Sequence, residues 1–264
     1  MFEHDRLRWC SNADVSRRGH TGQMENWQEH TNRYLDRTVR LREPLARLGK
    51  ALQPLPPAPL DFELSARGRI HYQLCIAVIG GVRSADELCS SIEALWISGR
   101  FLTISLSVRL LIEMWGAVEF ARREIMEKLE QTNDLEAAQR KISRFLLGAN
   151  SDVPLPWGGV SGKNLVHVME MVRQAEVASP GTKANYDFLC DASHPCYLQH
   201  TYLMLAGSKH DNWSNSMFAA YGHQMLDRTL KAAEDATKGI AEAGIVIIDA
   251  SMPVILADRE RLDQ

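Results

Sequence analysis

Two short stretches of this chain carry side chains whose types and spacing could do chemistry. The first is Tyr186-Asp187-Phe188-Leu189-Cys190-Asp191-Ala192-Ser193-His194-Pro195. On a helix, Asp187, Asp191 and His194 fall at i, i+4 and i+7 and share one face, with Tyr186, Leu189, Cys190 and Ser193 on the adjacent, less polar stripe. Pro195 disfavours the α conformation at His194, so the helix should end there. A helix C-terminus favours a cationic imidazole, and Asp191 beside it favours that charge further. Such a histidine suits general acid or base work. The plainer role for the same residue is to cap the helix by hydrogen bonding to its last carbonyls.

The second stretch is Leu106-Ser-Val-Arg-Leu-Leu-Ile-Glu-Met-Trp115. Arg109 and Glu113 are four apart and share a helix face. Val108, Leu110, Leu111, Ile112, Met114 and Trp115 surround them on nearly every side, which predicts a buried segment whose charges must be paired. Arginine before glutamate is the weaker order for an isolated helix, so helix propensity does not account for the pair. It is either an internal ion pair that fixes helix register or part of a cleft floor with shifted proton affinities.

A third set would bind metal. Asp191-x-x-His194 has the carboxylate-x-x-His step of di-iron bundles, and Glu113, His167 and Glu170 could add ligands. One good step is visible where such a centre needs two, so no metal or other cofactor is expected. The chain has no phosphate-binding G-x-x-x-x-G-K-[ST] loop and no G-x-G-x-x-G. It also has no G-x-S-x-G elbow and no H-E-x-x-H. Simple P-loop, dinucleotide, serine-hydrolase and zincin chemistries are therefore disfavoured.

The elements that must position these residues read as helices throughout. Residues 1–23 are polar and form a loose arm. Helical periodicity runs from Met24 to about Leu52, with Pro44 expected to kink or interrupt it. Four prolines in residues 53–59 make a stiff connector. A long helix is expected over about 66–98, with Gly80-Gly81 as a kink or close contact. Gly99 ends it, a second follows over about 100–129, and the pair should fold as an antiparallel hairpin. Shorter helices fit 133–147, 163–177 and 182–193. Between the first two, residues 149–162 form a Pro- and Gly-rich loop around Trp157, long enough to suspect a role. A final helix over about 214–262 should be divided by Gly239, Gly244 and Pro253. The fold class is all-α: a multi-helix bundle of about six to eight helices, with residues 24–264 as one domain.

Composition agrees. The chain has 264 residues, 45% hydrophobic and 24% charged, which is ordinary for a globular protein. A formal charge of −3 argues against a protein that coats nucleic acid non-specifically, though not against a local basic groove. Cysteines 10, 75, 89, 190 and 196 are odd in number and lack C-x-x-C spacing, as in a reduced cytoplasmic protein. Residues 1–22 hold four arginines and no apolar run, unlike a secretory leader. The apolar stretch 241–257, interrupted by Glu242, Asp249 and Pro253, is too short to span a bilayer, so no membrane segment is expected.

The segment Tyr186-x-x-Leu189-Cys190-x-x-x-His194-Pro195, with Arg109-x-x-x-Glu113 on an earlier helix, resembles a group of uncharacterised bacterial helical proteins. These carry Tyr-x-x-Leu-Ser-x-x-x-His after a helix bearing Arg-x-x-x-Glu. They in turn look like the HEPN superfamily. The resemblance spans about residues 66–210 and implies an all-helical, HEPN-like core, often dimeric, in stress or phage defence. It also implies metal-independent RNA cleavage, or an inactive relative of such an enzyme. The superfamily's arginine and histidine correspond to Asp187 and His194, so an aspartate replaces the arginine, and Cys190 replaces the usual serine. Arg109 would have to supply the missing cation. His194, Asp191, Arg109, Glu113, Asp187 and Tyr186 are thus the candidate site residues, with RNA as the expected partner and a homo-oligomer as the expected state. The alternatives are a non-enzymatic oligomeric scaffold and a di-iron oxygenase.

Overall fold

The computed structural model describes residues 34–52, 64–97, 100–147, 166–193 and 216–262, and every regular element among them is helical. The protein is an all-α multi-helix bundle. The connector 53–59, the 149–162 loop with Trp157, His194, Cys196 and the whole N-terminal arm with Cys10 lie outside the described residues. The chain divides into two units, residues 1–36 and 37–264. In the first, the described residues 34–36 are helical.

In the second unit the helices are α1 (Glu43–Ala51), α2 (Ala66–Ile97) and α3 (Phe101–Phe120). A π-helical stretch (Ala121–Glu127) continues α3 without a break into α4 (Lys128–Thr132). Then come α5 (Leu135–Leu147), α6 (Val168–Ala178), α7 (Thr182–Ser193) and α8 (Ser216–Leu262). Helical residues 37–40 precede a two-residue turn at 41–42, and Pro44 sits in the first turn of α1. There its missing N–H costs nothing, so it starts a helix rather than bending one. Asn133, in the left-handed region at φ 53°, ends α4, and Asp134 caps α5 by accepting the Ala137 N–H at 2.9 Å.

The expected divisions of α8 are corrected. It runs unbroken for 47 residues through Gly239, Gly244 and Pro253. The two glycines are notches: a Cβ on Gly239 would lie 2.2 Å from the Trp115 ring, and one on Gly244 would lie 2.6 Å from Leu48. Removing the side chain lets α8 press onto α3 and α1, and packing outweighs the helix propensity lost at glycine. α8 is long and apolar enough to cross a membrane by length and composition, and 44% of its most apolar window is buried within the bundle. It packs on α1, α2 and α3.

The α2–α8 seam is capped by a polar cluster at one end. Ser65 donates its N–H (3.1 Å) and Oγ–H (2.5 Å) to Asp258, and its Oγ accepts the Gly68 N–H, capping α2. Leu64, Tyr72, Cys75 and Ile255 pack beside this cap. The site lies at a different junction, where α6 and α7 meet α3.

Candidate functional site

α7 is placed by four local devices. Gly116 of α3 lets α6 cross closely, since a Cβ there would fall 2.1 Å from the Met171 carbonyl oxygen. Gly181, at φ 97°, makes the turn from α6 into α7 in a conformation that side chains disfavour. Glu176 then accepts the N–H groups of Gly181 (3.0 Å) and Lys183 (2.7 Å), neutralising the first turn of α7. Arg228 of α8 donates to Asn185 Oδ1 and the Ala184 carbonyl, both at 2.9 Å, and covers the Phe188 ring.

So held, α7 brings Tyr186 and Cys190 against Arg109 and Glu113. The Tyr186 hydroxyl donates to Glu113 Oε1 at 2.8 Å, and Arg109 Nε donates to the same oxygen at 3.1 Å. The Arg109 guanidinium lies 5.5 Å from the Tyr186 ring centroid, within cation–π reach. Among the described residues Glu113 is its one carboxylate partner, reached through Nε, and Tyr186 adds a further side-chain hydrogen bond. Burial works against the Arg109 charge, but Glu113 and the nearby Tyr186 and Cys190 outweigh it and hold the pKa above its ordinary value. Burial, then Glu113, pushes the Tyr186 phenol up to about 12, so it stays a donor at neutral pH. Burial also raises the Cys190 thiol, against the pull of Arg109 and Tyr186, so it is not poised as a thiolate nucleophile.

The sequence expectation of a buried pair needs correction. The Arg109 side chain is 32% exposed and that of Glu113 15%. Leu106 and Leu110 are 40% and 44% exposed, so the apolar surround on this side of α3 faces outward. Asp187 and Asp191 are exposed, and Asp187 pairs with Lys183 at 2.5 Å. The stripe of α7 that faces Arg109 and Glu113 is the neighbouring one, Tyr186 and Cys190.

The metal set is not assembled among the described residues, where no three His, Cys, Asp or Glu side chains converge. His167 Nδ1 accepts the Met169 N–H and caps α6, while Glu170 is held by Arg173 and Gln174. Glu113 is taken up by Arg109 and Tyr186.

Sequence reasoning found Arg109, Glu113 and Tyr186 but missed that Glu176, Gly181 and Arg228 position them. The Ser179-Pro180-Gly181 break was the available signal for the turn. A depression of about 320 Å³ is lined by Trp115, Gly181, Asn185 and Asp235 among others, and by none of Arg109, Glu113 or Tyr186. The candidate site therefore lies apart from this depression. No family model, curated protein or solved structure matches this chain.

Proposed function

We propose that this protein is a HEPN-like bundle that acts on RNA without a metal, with Arg109 holding the phosphodiester. One observation carries the reading: Arg109 is oriented by Glu113 and Tyr186 while its side chain stays 32% exposed. A guanidinium fixed at Nε presents its outer fork to solvent already aimed, and that fork matches phosphate bidentately.

In this reading His194, the residue that follows the last residue of α7, takes the proton of the ribose 2′-hydroxyl. The 2′-oxygen attacks phosphorus, the bond to the 5′-oxygen breaks, and Arg109 balances the charge gained by the phosphoryl oxygens. The leaving 5′-oxygen takes its proton from water. Asp191, one turn before His194, favours the imidazolium that forms.

The test is cleavage of a single-stranded RNA in EDTA by wild type, His194→Ala and Arg109→Gln, each confirmed as folded. Wild type is expected to cleave, His194→Ala not at all, and Arg109→Gln about 100-fold more slowly. Binding that depends on Arg109 without cleavage identifies the inactive-relative form of this reading. Neither binding nor cleavage by wild type overturns it. A second reading, a scaffold that docks a partner chain, is favoured by Leu106 and Leu110, whose exposed side chains bracket Arg109. It predicts a stable complex that Leu106→Glu and Leu110→Glu abolish and that His194→Ala leaves intact.

A further inference from the structure

His71 lies on α2 with no exposed surface, facing α8 and the end of α4. Its Nδ1 is 3.0 Å from Ser251 Oγ, a hydroxyl that is itself fully buried. Among the described residues its Nε2 meets only the Glu130 carboxylate, whose Oε1 lies 3.5 Å away, too far for a well-made hydrogen bond. That carboxylate is already engaged by Arg67, which donates to Glu130 at 2.6 Å and to Asn133 at 2.9 Å. The titratable and charged groups around the imidazole are Arg67 and Cys75 on α2, Glu130 on α4 and Asp258 on α8. Asp258 is committed to Ser65, and burial keeps the Cys75 thiol protonated, at about 11.

We propose that His71 is a proton-sensitive lock on the α2–α8 seam, closed while the ring is neutral and loosened when it takes up a proton. A neutral ring that accepts from Ser251 at Nδ1 carries its hydrogen on Nε2, toward Glu130. Proton uptake places a second N–H at Nδ1, so Ser251 must turn from donor to acceptor. It also leaves a full charge on a ring with no exposed surface, where Glu130 attracts it but Arg67 repels it and competes for that carboxylate. Burial, the largest influence, already holds the His71 pKa below its ordinary value.

The sign follows from linkage. A histidine that binds its proton less readily when folded takes it up on opening, so closure weakens as pH falls below about 6.5, the value for an exposed imidazole. Until the folded-state pKa is reached, each pH unit raises the opening equilibrium by up to about tenfold. This seam is separate from the Arg109 cluster and does not rest on the RNA reading.

The experiment is amide hydrogen exchange across residues 247–258, expressed as protection factors at pH 7.5, 6.5 and 5.5, in wild type and His71→Gln. Wild type is expected to lose at most about twofold in protection from 7.5 to 6.5 and about fivefold from 6.5 to 5.5, with no such loss in the variant. Unchanged protection in wild type, or an equal loss in both proteins, overturns the proposal. Should His71→Gln not fold, the NMR titration of the His71 ring in wild type decides. A midpoint below 6.5 with seam amides shifting in step supports the lock, and a midpoint at or above 6.5 refutes it.

Discussion

The α2–α8 seam and the α3–α7 junction use the same kinds of residue to different ends. In the seam, Asp258 is buried and accepts both the N–H and the hydroxyl of Ser65, capping a helix, while the exposed Arg261 approaches it only to 3.7 Å. At the junction, Glu113 likewise accepts two donors, from Arg109 and Tyr186, but one of those donors is a cation whose side chain is 32% exposed. A buried carboxylate whose donors all serve the fold is a structural device, because an unpaired partner inside would be costly. A carboxylate that aims an arginine outward leaves binding capacity at the surface. The contrast suggests reading a polar cluster by what its members have left over once their mutual bonds are counted.

The largest expected effect lies in what positions the junction. Gly116→Ala forces a methyl into the Met171 carbonyl and should cost about 3 kcal/mol in denaturant unfolding, since backbone cannot move aside as a side chain can. Next comes the contrast itself. Asp258→Ala strips the cap from α2 and strands Ser65, and should cost about 2 kcal/mol. Glu113→Gln, at the half-open junction, should cost clearly less in the same assay. If the two losses are equal, the junction is as structural as the seam and the distinction fails. Tyr186→Phe removes one hydrogen bond and should cost about 1 kcal/mol, while weakening RNA binding by freeing the Glu113–Arg109 pair to shift. The smallest effect has the opposite sign: a Cβ on Gly80 of α2 meets nothing within 4 Å, so Gly80→Ala should stabilise by about 0.5–1 kcal/mol, read as a raised unfolding midpoint.

Much of the fold was legible because helix periodicity is local. The 182–193 helix and the long helices flanking Gly99 needed only spacing and breakers. Gly239 and Gly244 were misread because a glycine that breaks a helix and one that admits a neighbouring side chain look identical until Trp115 and Leu48 are in place. Arg109 and Glu113 were legible from their apolar surround, and Tyr186 was named with them. Which stripe of α7 would face α3 was not legible, since Asp187 and Tyr186 are adjacent in sequence and tertiary packing alone chooses between them. The Arg67–Glu130 and Arg228–Asn185 ties join residues 63 and 43 positions apart, which no local pattern encodes.

The most direct test of the central claim is the affinity of a labelled single-stranded RNA for wild type and Arg109→Gln across a salt series. If Arg109 grips a phosphate, the variant should lose about tenfold in affinity, and the slope of log affinity against log salt should fall by about 0.7, one contact's worth for a single strand. Identical affinity and slope in the two proteins would contradict the account and leave the Arg109–Glu113–Tyr186 cluster as a fastener between α3 and α7.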